Sequence, residues 1–583
     1  MKIIGVSGID GTMDFKRRHW PDLQEREYRI SQGHDSAAVL VIDGEVIAAV
    51  AEERIARRKH TGDFPIGAIE ACLAQAGLQL SEIDEIVHSF DYGPYRVPYS
   101  LSPVSSELYR EVLSPQAFAA RVTDAFPEFP ADRIRHVDHH LSHAASAYFT
   151  SGWEDCMVAV IDGMGEAHGA SIYSASGGAL EPIHRISAAD SIGIFYSLIT
   201  LHLGFDFNSD EYKIMGLAPY GDPERFRAFF DDAVRFTDDG GWSIPALKLG
   251  EREDRENHLA ARRYLGERLI AAREPESEIT SEHEDVAAGL QACLDRAIQH
   301  TCSHFGRRLS TKRLALAGGV ALNTTANGKL LASGAFEEIY VQPAAADDGS
   351  ALGAALHRAS LAGEIANRRS PTPFYGPAHS VEAIEDALGE YDDRVEASRL
   401  GSLDEVCESA AQLIAAGEVI AWYRGRMEFG PRALGHRSIL ADPGRADMRD
   451  RVNALVKMRE SFRPFAPAVA LEEVDRWFDT PAGTELPYMT INLDVRPEHR
   501  AGLPAITHVD GSARVQTVSE SDNGEFHTLL ESVGAHTGRR MLLNTSFNVK
   551  GQAIVNTPAE ALETFLGTGI EALFLEDFLV RKR

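Results

Sequence analysis

Apolar and polar positions alternate along the chain in a way that predicts short strands separated by amphipathic helices. The apolar runs Lys2–Ser7, Ser36–Ile42 and Glu45–Val50 read as strands, and Asp43-Gly44 between the last two predicts a hairpin. Ile66–Ala76, closed by Gly77, has helical spacing, and Glu82–Ser89 leads into another strand. Cys156–Ile161 is an unbroken apolar run, as expected of a buried strand. Ala170–Ser174 and Leu180–Ile183 flank Ser176-Gly177-Gly178, a second hairpin. Val286, Leu290, Leu294, Ile298 and Phe305 recur at helical spacing and mark a core helix. Arg313–Ala317, Glu338–Gln342 and Val419–Tyr423 predict further strands, with a helix over Thr324–Leu331. The class is α/β.

Breaks in this pattern suggest the domain organisation. Asp222 to Ser281 is charge-rich and weakly periodic, which reads as a helical surface insertion (about 222–282). Arg369–Gly376, R-S-P-T-P-F-Y-G, is the clearest linker. The expected plan is a first domain over 1–365, a linker over 366–378 and a second domain over 379–583. A chain of 583 residues is too long for one core. The polar, basic and aromatic segment between Gly8 and Gly33, with Phe15-Lys16-Arg17-Arg18-His19-Trp20 in it, reads as a surface loop, with a substrate-facing lid as the alternative.

Charge narrows the function classes. With 58 basic and 87 acidic residues the net charge is −29, which gives nucleic-acid binding no electrostatic support. Anionic substrates would need local basic pockets. Cys72, Cys156, Cys293, Cys302 and Cys407 are scattered without a C-x-x-C pair, like reduced thiols of a cytoplasmic protein. Met1-Lys2 leads straight into a strand without a signal-peptide pattern, and no apolar run approaches membrane-spanning length.

The candidate chemistry centres on V-D-H-H-L-S-H-A-A-S-A-Y-F, Val137 to Phe149. His139 and His143 stand i, i+4 in a run that should be helical, so both imidazoles share one face within reach of a single cation. Such pairs also arise by chance. The zinc-protease version carries Glu after the first His; here that position is His140, so a zinc protease is not expected. Two further features favour a metal: Asp162, ending the strand Cys156–Ile161 ahead of Gly163 and Gly165, and the acidic pair Asp347–Asp348, either of which could supply a fourth ligand. Gly318-Gly319 after a strand, then Asn323 and a helix, suits close approach to a nucleotide. Lys213, set among Gly, Pro and apolar residues in E-Y-K-I-M-G-L-A-P-Y-G, reads as a phosphate contact. His34-Asp35 is a candidate base pair, and Arg57-Arg58-Lys59-His60 a basic cluster, although either can be an ordinary surface feature. In the second domain Arg424, Arg426, Arg432 and Arg437 crowd into glycine-rich turns, followed by Lys457, Arg459, Arg463 and Arg514. The stretch L-L-N-T-S-F-N adds Asn544, Ser546 and Asn548. These residues look built to grip small phosphorylated compounds through bidentate contacts.

The opening strand, glycine turn and hairpin match the start of actin-like ATPase domains. Seven motifs then occur in a recognisable order: H-H-L-S-H-A-A-S-A-Y, D-G-M-G-E, E-Y-K-I-M-G-L-A-P-Y-G, A-G-G-V-A-L-N, E-F-G-P-R-A-L-G-H-R-S, R-P-F-A-P and N-T-S-F-N. On these motifs the sequence resembles the O-carbamoyltransferases of the NodU/CmcH family over nearly its whole length. The resemblance implies an actin/hexokinase-like (ASKHA) first domain related to the tRNA threonylcarbamoyl transferases, and a YrdC-like second domain. It implies that His139, His143, Asp162 and Asp347 bind Fe2+ or a similar divalent metal, Asp347 being chosen over Asp348 by counting back from Gly349. It further implies that Asp162, Gly163, Lys213, Gly318, Gly319, Asn323 and Asp347 line the nucleotide of a carbamoyl adenylate. His34, a catalytic base, and Lys59 would stand on the acceptor side. Arg432, Lys457, Arg463, Arg514, Asn544, Ser546 and Asn548 would hold carbamoyl phosphate and ATP with Mg2+, Arg432 and Arg463 acting catalytically.

The implied activity moves the carbamoyl group of carbamoyl phosphate, through carbamoyl-AMP, to a hydroxyl of a natural product, as in antibiotic biosynthesis. No nucleic acid or membrane partner is expected, and a homodimer is allowed. The segment before His34 is longer than in the simplest family pattern, which leaves the acceptor open. Two alternatives are a threonylcarbamoyladenosine-type tRNA transferase, against which the acidic charge and the arginine-rich second domain argue, and a non-catalytic ATP-binding module, against which the intact metal and arginine sets argue.

Overall fold

The structure is a computed structural model that describes residues 1–251, 255–364, 372–457, 460 and 462–583. Residues 366–371 of the linker expected over 366–378, and Arg459, lie outside the described residues. The chain divides into two compact units. Unit 1 comprises Met1–Glu53 and His60–Ser370, and unit 2 comprises Arg54–Lys59 and Pro371–Arg583.

Unit 1 is built from two five-stranded sheets of one design. The first contains β1 (Lys2–Val6), β2 (Ala37–Ile42), β3 (Glu45–Ala51), β4 (Glu85–His88) and β5 (Ile134–His136), in the order β3-β2-β1-β4-β5. In it β1 pairs antiparallel with the β2–β3 hairpin and parallel with β4. The second contains β6 (Asp155–Ile161), β7 (His168–Ser176) and β8 (Ala179–Ser187). A two-stranded ribbon, β9 (Arg235–Phe236) and β10 (Trp242–Ser243), intervenes before β11 (Arg313–Ala317) and β12 (Glu338–Val341) complete it. Its order, β12-β11-β6-β7-β8, repeats the first: β6 pairs antiparallel with the β7–β8 hairpin and parallel with β11. A strand, a hairpin and two parallel additions, made twice, is the duplicated architecture of actin/hexokinase-type domains. After their first residues, Lys2 and Asp155, both central strands are buried and carry no polar side chain, because both faces of each sheet are covered.

Three helices matter for the site: α1 (His139–Ser151), α2 (Thr324–Ala332) and α3 (Asp347–Leu361). Asp138 caps α1, its carboxylate accepting from Leu141 N at 2.9 Å, and Gly152 ends it in the left-handed conformation. Small residues make α1 and α3 mutually close: a Cβ at Gly353 would stand 1.6 Å from the Ser142 carbonyl oxygen.

Two expectations need correction. The 9–33 segment is not a loop but carries helices Thr12–His19 and Glu25–Tyr28, because Phe15, Tyr28 and Ile30 give it an apolar side that packs inward. Lys16 within it is buried, its Nζ donating to Glu256 O and Asn257 Oδ1, and burial pushes its pKa down to about 7. The insertion after Asp222 is not purely helical. It holds helices Arg227–Ala233 and Leu259–Arg268 together with the β9–β10 ribbon.

Unit 2 is a mixed α/β layer. Its strands are β13 (Val395–Arg399), β14 (Ile420–Tyr423), β15 (Arg437–Ala441), β16 (Ala466–Ala470), β19 (Gln516–Val518), β20 (Met541–Ser546), β21 (Ala572–Leu575) and β22 (Phe578–Lys582), with β17 (Asn492–Asp494) and β18 (Ser512–Arg514) forming a separate ribbon. The main sheet runs β13-β22-β21-β14-β15-β20-β16-β19. Helices Leu403–Ala416 and Glu520–Thr537 bring Val406, Ile414, Phe526 and Leu530 onto it in one core. Among the described residues no helix is long and apolar enough to cross a membrane.

Candidate functional site

Four side chains from three segments of unit 1 converge. The helical i, i+4 spacing places His139 and His143 on one face of α1, with their Nε2 atoms 3.1 Å apart. Asp162 follows β6, and its Oδ2 lies 3.5 Å from His139 Nε2. Asp347 opens α3, with Oδ1 at 3.4 Å from His139 Nε2 and 3.7 Å from His143 Nε2. One donor atom from each of the four lies within 4.8 Å of the others. The neighbouring Asp348 instead turns Oδ1 toward Gly349 N at 3.0 Å.

The electrostatics show what this cluster demands. Burial alone would keep His139 neutral, but the carboxylates of Asp347 and Asp162 override it and hold its pKa well above normal. Burial likewise opposes a charged Asp162, and the His139 contact overrides that, holding the carboxyl well below the usual range. Two carboxylates thus call for positive charge at the point where two imidazole nitrogens meet. A mixed nitrogen and oxygen donor set of this kind fits a divalent cation such as iron. The rings differ in their support. His139 Nδ1 is 3.2 Å from Ser89 O, the usual arrangement for a metal-binding histidine, whereas His143 Nδ1 has no hydrogen-bond partner among the described residues.

Sequence reasoning assigned no role to the residues that hold this cluster. The segment after β4 meets His139 from two sides: Ser89 O takes its ring N–H and Phe90 stacks on the ring at 3.9 Å and 11°. Glu166, the last residue of D-G-M-G-E, accepts from Asp91 N at 2.6 Å and from His139 N at 3.0 Å. It is buried, and that burial pushes its carboxyl up to about 7. Gln32 donates to Met164 O and Gly165 O at 2.9 and 2.8 Å and accepts from Tyr92 Oη, which ties the 9–33 segment to the loop after Asp162. Glu166 was visible as part of a motif. Nothing local pointed to Gln32 or Ser89.

Of the expected nucleotide residues, the Gly318-Gly319 turn adjoins the cluster directly. Gly319 N donates to Asp162 Oδ1 at 2.8 Å, so the Gly-Gly turn after β11 and the Asp162 carboxylate of the cluster are one unit. Gly318 has φ of +90°, and a Cβ there would lie 2.4 Å from Ile161 O, so glycine is required on two grounds. At Gly163 a Cβ meets nothing within 4 Å. Asn323 caps α2 by accepting from Ala326 N and exchanges two 3.0 Å hydrogen bonds with Gln291, so its amide is committed within the protein. Lys213 Nζ pairs with Asp210 at 2.8 Å. His34 is buried, with Nε2 3.1 Å from Ser31 Oγ and 3.3 Å from Arg29 O, and burial lowers its pKa. Its sequence neighbour Asp35 bonds the His60 ring at 2.7 Å. Lys59 belongs to the short segment that groups with unit 2, where Arg57, expected on a solvated or phosphate-binding face, donates to Ile554 O and Ala553 O.

In unit 2 the Lys457 Nζ donates to oxygens of Ser546 and Asn548, including Asn548 Oδ1 at 2.8 Å and Ser546 O at 2.5 Å, which brings three predicted residues together. Asn544, on the same strand, bonds Ala433 O and Gln516, and Gln516 bonds Leu434 O, so this strand end fixes the backbone beside Arg432. Arg463 pairs with Glu460 at 3.3 Å, and Arg514 ends β18. The expectation that the whole arginine-rich stretch grips phosphates is corrected. Arg437 is fully buried over the Tyr423 ring and donates to Arg424 O and Gly425 O. Arg424 pairs with Glu525, and Arg426 donates to Tyr375 O and Gly376 O. Guanidiniums drawn from water need acceptors for their donors, and protein oxygens supply these three, although Arg437 Nε finds none among the described residues.

Comparison with known proteins agrees with a transferase of this build. Residues 28–95 and 104–356 match the family model described as carbamoyltransferase N-terminus, and residues 411–582 match carbamoyltransferase C-terminus. The chain is 41% identical over 565 residues to nodulation protein NolNO of Sinorhizobium fredii, covering 94% of this chain and 79% of that one. It is 39% identical over 246 residues to 3'-hydroxymethylcephem-O-carbamoyltransferase of Streptomyces clavuligerus, covering 42% and 44% of the two chains. Among solved structures, the activator of the 2-hydroxyisocaproyl-CoA dehydratase from Clostridium difficile with bound ADPNP aligns at 15% identity and a TM-score of 0.30, over 62% of this chain and 96% of that one. The chain belongs to the carbamoyltransferase family, and it is a carbamoyltransferase enzyme.

Proposed function

We propose that this enzyme carries out ATP-dependent O-carbamoylation of a small hydroxylated natural product. Water hydrolyses carbamoyl phosphate to carbamate and phosphate. Carbamate then attacks the α-phosphorus of ATP, releasing pyrophosphate and forming carbamoyl-AMP, and an acceptor hydroxyl takes the carbamoyl group and releases AMP. The observation that carries the reading is the convergence of His139, His143, Asp162 and Asp347, with Asp162 bonded to the Gly318-Gly319 turn. A divalent cation of the iron type held by these four would supply polarisation of a carbonyl oxygen. Lys213, Gly163, Gly318, Gly319 and Asn323 line the nucleotide, and His34 takes the acceptor proton. In unit 2, a YrdC-like domain in this reading, Arg432, Lys457, Arg463, Arg514, Asn544, Ser546 and Asn548 hold carbamoyl phosphate and MgATP, whose charge their cationic members neutralise. The acceptor class follows the relative named for a hydroxymethyl cephem, and cysteines that form no disulfide among the described residues suit a cytoplasmic enzyme.

The test separates the half-reactions. Arg463→Ala should reduce carbamoyl phosphate-dependent ATP/pyrophosphate exchange by about 100-fold. His143→Ala should keep exchange and lose transfer to acceptor. Wild-type enzyme that shows no exchange with fresh carbamoyl phosphate ends the adenylate reading, and equal loss of both half-reactions in His143→Ala ends the division of labour.

A further inference from the structure

Two of the segments that carry the four converging side chains, the α1 start and the Asp162 loop, meet the segment after β4 at Glu166. Its Oε1 is 2.6 Å from Asp91 N and 3.0 Å from His139 N, and Oε2 is 3.2 Å from His139 N. His139 N is an N-terminal amide of α1, which lacks an intrahelical acceptor. Asp91 N belongs to the segment whose Ser89 carbonyl and Phe90 ring orient the His139 imidazole. Ser89 also reaches α3: Ser350 Oγ lies 2.8 Å from Ser89 Oγ and 2.6 Å from Asp347 O. Glu166 itself follows Asp162 by four positions in the loop leaving β6. One buried carboxylate therefore joins the α1 start, the segment after β4 and the Asp162 loop, yet it is not among the four converging donors.

We infer that Glu166 is a positioning residue of the metal centre: as a two-amide acceptor it sets the His139 ring against Asp162 and Asp347 without being a ligand. The inference rests on the proposed metal site and predicts its affinity independently of turnover. Outer partners of metal ligands typically contribute about 10- to 100-fold in affinity. A glutamine at 166 keeps an oxygen that accepts from both amides, whereas alanine leaves two buried N–H groups without an acceptor.

The experiment is a Co2+ titration of chelator-treated, full-length protein, followed by the visible absorption of the bound ion. Glu166→Ala should weaken Co2+ binding by about 10- to 100-fold, and Glu166→Gln should stay within about threefold of wild type. Where alanine prevents folding, Glu166→Ser carries the same expectation. Wild-type affinity in the alanine or serine variant overturns the inference. So does a glutamine variant as weak as alanine, because charge and not amide acceptance would then be the cause. Wild-type protein that takes no Co2+ overturns the metal reading and the inference together. Binding that is lost in His143→Ala but untouched at position 166 removes only the inference.

Discussion

Gly353→Ala tests whether the spacing of α1 and α3 sets the cluster of His139, His143, Asp162 and Asp347 and the metal affinity proposed for it. An added Cβ would lie 1.6 Å from Ser142 O and 2.7 Å from Ser146 N, both backbone atoms of α1. Ordinary contact begins at 3.4 Å, so the helices must part by about 1.8 Å locally. Retreat of α3 is blocked behind: Gly5 on β1 is so close that its own Cβ would stand 2.1 Å from Ala351 O. Overpacking with flexible neighbours costs about 1–3 kcal/mol. With backbone on both sides the upper end applies, about 3 kcal/mol, against a gain of about 0.5–1 kcal/mol from restricting the unfolded chain. Asp347 lies six residues earlier on the same helix and must keep its 3.4 and 3.7 Å approaches to the two histidines. Metal–ligand distances tolerate only about 0.2 Å, so Co2+ affinity should fall at least tenfold. Urea unfolding and the Co2+ titration measure the two effects. A variant within 1 kcal/mol of wild type in stability, with unchanged Co2+ affinity, would refute the argument that this contact positions Asp347.

Two other predictions concern stability alone. Gly266 is exposed in the helix Leu259–Arg268, and a Cβ there meets nothing within 4 Å, so Gly266→Ala should stabilise by about 0.5–1 kcal/mol; a lower urea midpoint would contradict this. His88 is buried with Nε2 2.9 Å from Gly8 O and its ring stacked on Phe118, and burial lowers its pKa to about 3. Because the folded value lies below the ordinary 6.5, its contribution is complete above pH 6.5 and is lost as pH falls toward 3. At pH 5 the loss from this residue is about 2 kcal/mol relative to pH 7. His88→Phe, although weaker at pH 7 for want of the Gly8 bond, should show a correspondingly flatter decline; parallel profiles would exclude His88 as the source.

The sequence reading went furthest where a feature is local. Glycine-marked hairpins, the apolar strand before Asp162 and the Gly-Gly turn after β11 all appear where spacing placed them. It went wrong where a long polar side chain had to choose between water and a distant partner. Lys16, Arg424, Arg426 and Arg437 read as surface or ligand-binding cations and are instead committed to protein oxygens. The Asp35 carboxylate, adjacent to His34 in the chain, bonds His60.

By itself the sequence determined that His139 and His143 share a helix face, because 3.6 residues per turn makes that a property of spacing alone. It likewise determined that Asp162 ends a buried strand, since the apolar run before it admits no exposed face. Only the tertiary structure decided that Asp162 and Asp347 meet those histidines, that the Asp162 loop carries Glu166 back to the start of α1, and that Ser89 and Phe90 orient the His139 ring. These contacts join segments far apart in the chain. They depend on how closely glycine and alanine let helices and sheets approach, which no local periodicity encodes.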